Sequence, residues 1–210
     1  QQQVGLAPLA LKVGERFIVS RKGDEVPSAD ASGRIPVVLA AGAAFGSGEH
    51  ETTASCLEEL ERLAARVAGA EVLDLGSGTG ILAVAAAKLG AGRVVALDTS
   101  PDAVAAAEET VRQNGVEGRV EVVPGDISAV RGRAFDLVLA NLYADVLLAI
   151  AGELASSLRP GATLVLSGVN DDAAFDVQGA LERRGLTLVR RRALEEFWTL
   201  VYVRPPARAQ

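Results

Sequence analysis

The sequence predicts an α/β fold with a mostly parallel β-sheet that ends in an antiparallel hairpin. From residue 71 onward, short apolar runs rich in β-branched residues alternate with amphipathic helical stretches, which is the pattern of a parallel sheet covered on both faces. Near the C-terminus, residues 186–190 and 196–204 instead form two consecutive strand-like runs joined by a short connector. The alternation predicts a βαβ series, and the terminal pair predicts one strand antiparallel to the others.

Residues 1–49 precede this series and have a different pattern. Proline and glycine interrupt short β-like pieces at 16–20 and 35–39. We expect an ordered lead-in or linker segment here rather than an independent domain, followed by the main domain over residues 50–210. The main domain begins with a predicted helix over 50–67, because apolar residues recur there on one stripe.

The elements of the βαβ series follow in chain order, and several have clear end signals. Ser100 and Pro101 form an N-cap and first helical position, and Asn114-Gly115 ends that helix. Pro160-Gly161 predicts a turn into the next strand. The predicted strands are 71–75, 93–97, 120–123, 135–140 and 162–166, and the predicted helices are 80–89, 101–114, 144–158 and 171–184.

The composition is that of a globular chain with one sizeable domain. Its 210 residues are 49% hydrophobic and 23% charged, and its apolar runs are roughly half the ~20 residues that a membrane-spanning helix needs. These short runs predict no membrane insertion. The net charge of −6 gives no general reason for a polyanionic partner, so we do not expect direct nucleic-acid binding, for which only a local basic patch is a candidate. With one cysteine, Cys56, and one histidine, His50, we expect no disulfide, no metal site and a reducing cytoplasm.

The strongest local signal is a glycine-rich turn between a predicted strand and a predicted helix. Residues 72–80 read Val-Leu-Asp-Leu-Gly-Ser-Gly-Thr-Gly, in which Gly76 and Gly78 allow a ligand to approach the backbone closely. Asp98 ends the next strand, 22 residues after Gly76, where a carboxylate can accept both hydroxyls of a ribose. This register predicts a site for a nucleoside-type cofactor. The alternative is a tight strand-to-helix turn with a solvated Asp98.

The amino-acid sequence of the glycine-rich turn distinguishes between two classes of cofactor. A dinucleotide fingerprint needs a glycine three residues after Gly78, and Ile81 occupies that position. The acid before the turn, Asp74, suits the cationic sulfonium and ammonium of S-adenosylmethionine better than a pyrophosphate. Asp126 follows the third strand of the series, where it can meet the adenine, and the alternative is a helix-capping aspartate. The sequence therefore favours S-adenosylmethionine over a dinucleotide.

Asn141 closes the fourth strand of the series, next to the first in a sheet whose strand order reverses between them. Ligands bind at such a switch point, so its amide can hold an amine nucleophile or the methionine end of the cofactor. The alternative is a turn-forming asparagine. Tyr143 is a candidate wall of the same site or an ordinary interface tyrosine. Glu195 and Glu196 are not predicted to be a catalytic pair, because no second carboxylate is placed opposite them.

Three ordered motifs resemble a known family. Residues 45–53 read Phe-Gly-Ser-Gly-Glu-His-Glu-Thr-Thr, and they are followed by the glycine turn at 72–80 and by Ala-Asn-Leu at 140–142. This order is similar to the family that methylates large-subunit ribosomal protein L11. The resemblance implies a seven-stranded, Rossmann-like, S-adenosylmethionine-dependent methyltransferase fold. It implies cofactor contacts at Thr53, Gly76, Asp98 and Asn141, with Phe45 shielding the sulfonium.

The resemblance also implies a reaction and a partner. We expect a protein N-methyltransferase that acts on amines of a large-subunit ribosomal protein, at lysine side chains or the N-terminus, with Asn141 as the catalytic residue that orients the amine or the cofactor. Two alternatives share the cofactor motifs: a methyltransferase for a small molecule or another protein, and a binding module without turnover. A dinucleotide reductase is disfavoured because Ile81 stands where the dinucleotide fingerprint needs a glycine.

The N-terminal part of the sequence bears on which substrate is expected. The sequence contains no methionine and begins Gln1-Gln2-Gln3, so we expect residues upstream of Gln1 to have been removed. Members of the similar family carry a separate N-terminal domain that holds the ribosomal protein, and no segment of this chain is long enough to be that domain. We therefore expect a catalytic domain without its substrate domain, or a protein with another substrate. The sequence predicts no oligomeric state.

Overall fold

The described part of the chain, residues 10–23, 33–41 and 49–206 of the computed structural model, forms a small sheet and a large sheet. The strands of the small sheet are β1 (Leu11–Val13), β2 (Phe17–Arg21) and β3 (Ile35–Leu39). β1 is antiparallel to β2, and β2 is parallel to β3. The sequence pattern indicated the last two of these strands and missed β1, which has three residues.

The large sheet has seven strands in the order β6-β5-β4-β7-β8-β10-β9. They are β4 (Glu71–Leu75), β5 (Arg93–Asp98), β6 (Val120–Pro124), β7 (Phe135–Asn141), β8 (Leu158–Asn170), β9 (Thr187–Ala193) and β10 (Phe197–Val203). Every pairing from β6 across to β8 is parallel, whereas β10 is antiparallel to both β8 and β9. The predicted α/β fold, with a mostly parallel sheet and a terminal antiparallel hairpin, is confirmed.

The helices cover both faces of the large sheet. They are α1 (Glu49–Arg62), α2 (Ala64–Val67), α3 (Ile81–Lys88), α4 (Pro101–Gln113), α5 (Ala144–Ala149), α6 (Ala151–Ser156) and α7 (Asp171–Glu182), with a short 3-10 helix at Ile127–Val130. Two predicted helices are each divided, because the backbone leaves the helical region at Leu63 and at Ile150. The apolar spacing continues across both breaks, so periodicity alone does not reveal them. None of the described helices is long and apolar enough to cross a membrane.

β8 begins four residues earlier than the sequence pattern predicts. Pro160-Gly161 was expected to be a turn, but these residues lie inside the strand. Phe135 of β7 pairs with Leu158 of β8, and Leu137 pairs with Thr163. Between these two pairs β8 therefore contains more residues than β7, which forms a bulge in β8. Such a bulge accommodates a proline that cannot donate a ladder hydrogen bond.

The small sheet packs on the helices of the large one. Phe17 and Leu39 of the small sheet are fully buried and share one apolar cluster with Leu57 and Leu60 of α1. α3 lies within the same cluster, and its first seven residues, Ile81 to Ala87, are all buried. α3 is therefore covered on all sides, as its uniformly apolar sequence requires. The domain boundary predicted at residue 49 stays a prediction.

Candidate functional site

A cleft of about 480 Å³ opens at the carboxyl edge of the large sheet. It lies over β4 and β7, where the chain proceeds to β5 on one side and to β8 on the other. Its lining is Thr52, Thr53, Gly76, Ser77, Gly78, Thr79, Ile81, Leu82, Asn141, Leu142, Tyr143, Gly168, Glu196 and Phe197. Both the size and the position at a switch point are typical of a small-molecule site.

The glycine turn after β4 forms one wall of the cleft. Gly76 and Gly78 have φ of +70° and +53°, conformations that L side chains rarely adopt. A Cβ added to Gly76 would collide with the side chain of Leu142, whereas a Cβ added to Gly78 would meet nothing within 4 Å. The Gly78 backbone therefore faces open space, and a ligand can approach it closely.

Asp98, at the end of β5, holds this turn in place. One carboxylate oxygen, Oδ2, accepts a hydrogen bond from the Gly78 N–H at 2.9 Å, and Oδ1 accepts one from the Ser100 N–H at 2.9 Å. Each carboxylate oxygen can accept two hydrogen bonds, so both retain capacity for a ribose hydroxyl. Asp98 borders the cleft through Gly78 and is not one of its lining residues.

Asp74 lies beneath the glycine turn rather than in the cleft lining. Its side chain is buried, with the residue 1% exposed, and Oδ2 accepts from the Ala83 N–H in the first turn of α3 at 3.1 Å. Burial raises the pKa of Asp74 to about 7, the Ala83 hydrogen bond opposes this rise, and the nearby charge of Asp98 adds to it. The structure therefore gives Asp74 a capping contact, and its expected contact with the cofactor's charges stays a prediction.

Asp126 adopts the arrangement that the sequence left as its alternative. Its Oδ1 accepts from the Ser128 N–H at 2.8 Å and caps the 3-10 helix. Hydrogen bonds from Ser128 lower the pKa of this carboxyl below its usual value. Asp126 does not line the cleft, and its expected contact with adenine stays a prediction. Phe45 lies outside the described residues.

Asn141 ends β7 and connects the sheet to α1. Its side-chain amide, Nδ2, donates to the hydroxyl oxygens of Thr52 and Thr53, both at 3.2 Å. The other amide atom, Oδ1, lies beside Gly168 of β8, where an added Cβ would be 3.2 Å away. Gly168 has φ +81° and leaves room for Asn141 at this crowded point. Both N–H groups of the Asn141 amide therefore donate to threonines of α1, and the Oδ1 atom is available to accept a hydrogen bond from a ligand in the cleft.

A buried polar chain holds α1 against the sheet behind Asn141. The Ser55 hydroxyl donates to the Thr199 hydroxyl at 2.7 Å, and Thr199 is 2.8 Å from the Ser167 hydroxyl. Ser167 is the β8 partner of Asn141 in the sheet register. Cys56 is fully buried beside this chain, and burial raises the pKa of its thiol. A buried neutral thiol is a packing residue rather than a nucleophile.

The structure brings together Thr53, Gly76, Gly78 and Asn141 from the predicted site. It adds Gly168 from β8, Phe197 from the start of β10 and Glu196 from just before that strand, which sequence reasoning missed. The hairpin was predicted, and an antiparallel β10 must begin at the carboxyl edge of the sheet, so this strand orientation was the available signal. Among the described residues, no group of three His, Cys, Asp or Glu side chains is placed to hold a metal ion.

The strand order, the glycine turn after the first strand of the βαβ series and the cleft at the switch point define the fold class of the seven-stranded, Rossmann-like methyltransferases. The model of one family, described as ribosomal protein L11 methyltransferase (PrmA), matches residues 5–205. The chain belongs to this family.

Relatives named ribosomal protein L11 methyltransferase support the assignment. The protein from Pelotomaculum thermopropionicum is 43% identical over 182 residues, which cover 86% of this chain and 58% of the relative. The protein from Chloroflexus aurantiacus is 39% identical over 223 residues, which cover 93% of this chain and 66% of the relative. The chain therefore spans about three fifths to two thirds of the length of these relatives.

Solved structures agree with the fold. The crystal structure of a ribosomal protein L11 methylase from Lactobacillus delbrueckii subsp. bulgaricus has a TM-score of 0.83 and 28% identity, and the match covers 93% of this chain and 98% of that one. A putative RNA methyltransferase from Pyrococcus horikoshii has a TM-score of 0.63 and 18% identity over 72% of this chain and 82% of its own, which supports the fold alone.

Proposed function

We propose that the chain is an S-adenosylmethionine-dependent methyltransferase whose acceptor is an amine of ribosomal protein L11, either a lysine side chain or the N-terminus. The names of its relatives supply the acceptor protein. The observation that carries the proposal is the position of Asn141, which shares one cleft at the switch point with the left-handed Gly76 and Gly78. Such an acceptor implies a cytoplasmic enzyme.

The residues of the cleft fit S-adenosylmethionine. The open space at Gly78 admits a ligand against the backbone, and Asp98 keeps lone pairs for two ribose hydroxyls. In this proposal Asp98 holds the ribose, while Thr53 and Asn141 contact the methionine end. When bound, the cofactor supplies a methyl group on a positively charged sulfur.

Three further residues complete the proposed cofactor site. Asp74 lies buried beneath the turn with a pKa of about 7, and the positive charges of the bound cofactor favour its ionised form. Asp126 contacts the adenine with the oxygen that does not cap the 3-10 helix. Phe45 shields the sulfonium from water.

The main task of the cleft is to align the acceptor amine. Alignment of two reactants supplies about 7–11 kcal/mol. Removing the proton from a lysine with pKa about 10.4 costs about 4.6 kcal/mol at pH 7, which is less than alignment provides. A strong general base is therefore unnecessary. The proton leaves to water, and Asn141 orients the neutral amine through Oδ1, because its two donors are engaged by Thr52 and Thr53.

Methyl transfer to bacterial ribosomal protein L11 tests the proposal. The chain is incubated with S-adenosylmethionine that carries a tritiated methyl group, and the product is mapped by mass spectrometry. Label on an L11 amine supports the proposal. Binding of the cofactor without transfer to L11, combined with label in extracted metabolites, would favour a small-molecule acceptor. Binding without transfer to either would favour a binding module.

A further inference from the structure

Glu196 lines the cleft at the opposite end from Asp98. We infer that the Glu196 carboxylate binds the positively charged ammonium of the acceptor before methyl transfer. The inference rests on the proposed function and deepens it, because it assigns the residue that selects a cationic amine over a neutral acceptor.

Topology places Glu196 on the acceptor side of the cleft. Asp98 ends β5, and Asn141 ends β7, two strands away in the sheet. Glu196 directly precedes β10, a further two strands beyond β7. Neighbouring strands are about 4.8 Å apart, so Glu196 and Asp98 lie on opposite sides of Asn141, separated by roughly 19 Å of sheet width. A cofactor that spans from Asp98 to Asn141 leaves the Glu196 end of the cleft to the acceptor.

The antiparallel direction of β10 explains how a residue of the hairpin reaches this edge. Phe197, the first residue of β10, pairs with Asn170, the last residue of β8. The carboxyl end of β8 and the beginning of β10 are therefore at the same height in the sheet. Glu196 stands just above this pair, next to the edge that carries Asn141 and Gly168.

The turn that carries Glu196 is anchored on both sides. The Leu194 N–H donates to the Phe197 carbonyl at 2.8 Å, which closes the turn. The Glu195 N–H donates to the Glu51 carboxylate of α1. The indole N–H of Trp198 donates to the Asp171 carboxylate at the start of α7. These contacts hold the backbone around Glu196, so its carboxylate is presented to the cleft by a fixed segment.

The negative charge of Glu196 is not compensated by the nearby arginines. Arg190 and Arg192 of the same hairpin form ion pairs with Glu59 and Glu58 of α1. Arg191 lies over the ring of Trp198, with 5.6 Å between its guanidinium carbon and the ring centroid. Within the described part of the chain, the Glu196 side chain has no hydrogen bond and no ion pair. A carboxylate of this kind is available to a cation that enters the cleft.

The surroundings of Glu196 fit a lysine side chain. Tyr143 and Phe197 line the same cleft and provide apolar surface for the methylene groups of the acceptor. Tyr143 is 63% exposed, so the cleft is open toward solvent on this side. An ammonium on a flexible apolar stem matches this combination of an aromatic wall and a carboxylate.

The test compares Glu196→Gln with the matched control Glu195→Gln, whose side chain lies outside the lining of the cleft. Steady-state kinetics of methyl transfer to ribosomal protein L11 give KM and kcat for the acceptor, and calorimetry with S-adenosylhomocysteine gives the affinity for the cofactor product. Because Glu196 is exposed, we expect Glu196→Gln to raise the acceptor KM about fivefold at low salt, the upper range for an exposed ion pair, with little change in kcat. The difference from wild type should shrink at high ionic strength.

Several outcomes overturn the inference. An unchanged acceptor KM in Glu196→Gln would remove Glu196 from the acceptor site, and so would an equal rise in Glu195→Gln. A loss of S-adenosylhomocysteine affinity with an unchanged acceptor KM would place Glu196 against the cofactor instead. If the wild-type chain binds no S-adenosylhomocysteine and transfers no methyl group, the proposed function itself fails, and the inference fails with it.

Discussion

The side-chain amide of Asn141 donates a hydrogen bond to the hydroxyl oxygen of Thr53 at 3.2 Å, and this contact joins the end of β7 to the first turns of α1. The two residues are 88 positions apart in the chain. They belong to different motifs in the sequence, and the fold makes them one side of the cleft. The contact fixes the amide so that its oxygen, rather than its nitrogen, is available to a ligand.

Replacing Asn141 by alanine should slow methyl transfer strongly with little loss of stability. The substitution removes the oxygen that orients the amine and leaves two threonine hydroxyls that can pair with water. We expect kcat to fall by at least about a hundredfold, a loss of roughly 3 kcal/mol of alignment, while the unfolding midpoint in urea changes little. Full turnover of Asn141→Ala on ribosomal protein L11 would remove this residue from the reaction.

Replacing Asp98 by alanine should weaken S-adenosylmethionine binding more than tenfold. The change removes the proposed ribose acceptors and also the hydrogen bond that holds the Gly78 N–H. Asp102, exposed in the first turn of α4, is the matched control, and Asp102→Ala should keep wild-type affinity. Isothermal titration calorimetry measures both variants. Unchanged affinity in Asp98→Ala would contradict the assignment.

Replacing Gly78 by alanine should impair the cofactor site through both conformation and space. A non-glycine residue at φ +53° costs about 1–2 kcal/mol, and the new methyl group would occupy open space in the cleft. We expect lower stability and at least tenfold weaker S-adenosylmethionine binding. Gly118 is a suitable control, because its φ is not left-handed and an added Cβ meets nothing within 4 Å. If Gly78→Ala and Gly118→Ala changed stability and S-adenosylmethionine affinity equally, the left-handed Gly78 would not be required for the cofactor site.

Asp74 should make the free energy of unfolding fall as pH rises between about 4 and 7. Its pKa is near 3.9 in the unfolded chain and about 7 in the folded one, so the folded state binds more protons in this window. The contribution is fully present below about pH 4 and is lost as pH rises through the folded pKa, by at most about 1.4 kcal/mol per pH unit.

The variant Asp74→Asn isolates this effect. Asparagine keeps an oxygen that can accept from the Ala83 N–H but does not titrate. Urea unfolding of the wild type and the variant from pH 4 to pH 8 gives two curves, and their difference should change steadily across the window. Parallel curves would show that the Asp74 pKa is not raised in the folded state.

The first half of the candidate site could be predicted from the sequence because its signals are local. A strand, a glycine turn, a helix and an acid at the end of the next strand follow one another between residues 71 and 98, so periodicity and spacing placed Gly76, Gly78 and Asp98 correctly at one edge. The helix breaks at Leu63 and Ile150 were not visible, because the apolar stripe continues across them.

The second half of the site depends on contacts between distant segments. Gly168 enters the cleft because β8 extends to Asn170, well beyond the predicted end of that strand. Glu196 enters because β10 pairs with the carboxyl end of β8 in a particular register. Neither the length of a strand nor its register can be derived from local spacing when both faces of the sheet are buried. For Asp74 and Asp126, the sequence identified the residues but not the capping contacts they make.

In the proposed enzyme, one cleft holds the nucleoside at Asp98 and the reacting end of the cofactor at Asn141. A crystal structure of the chain with S-adenosylhomocysteine measures both placements at once. We expect ribose hydroxyls within hydrogen-bond distance of the Asp98 carboxylate, and the sulfur beside Asn141 with an open path toward Glu196. A nucleoside bound away from Asp98, or a ligand whose sulfur points away from Asn141, would contradict this expectation.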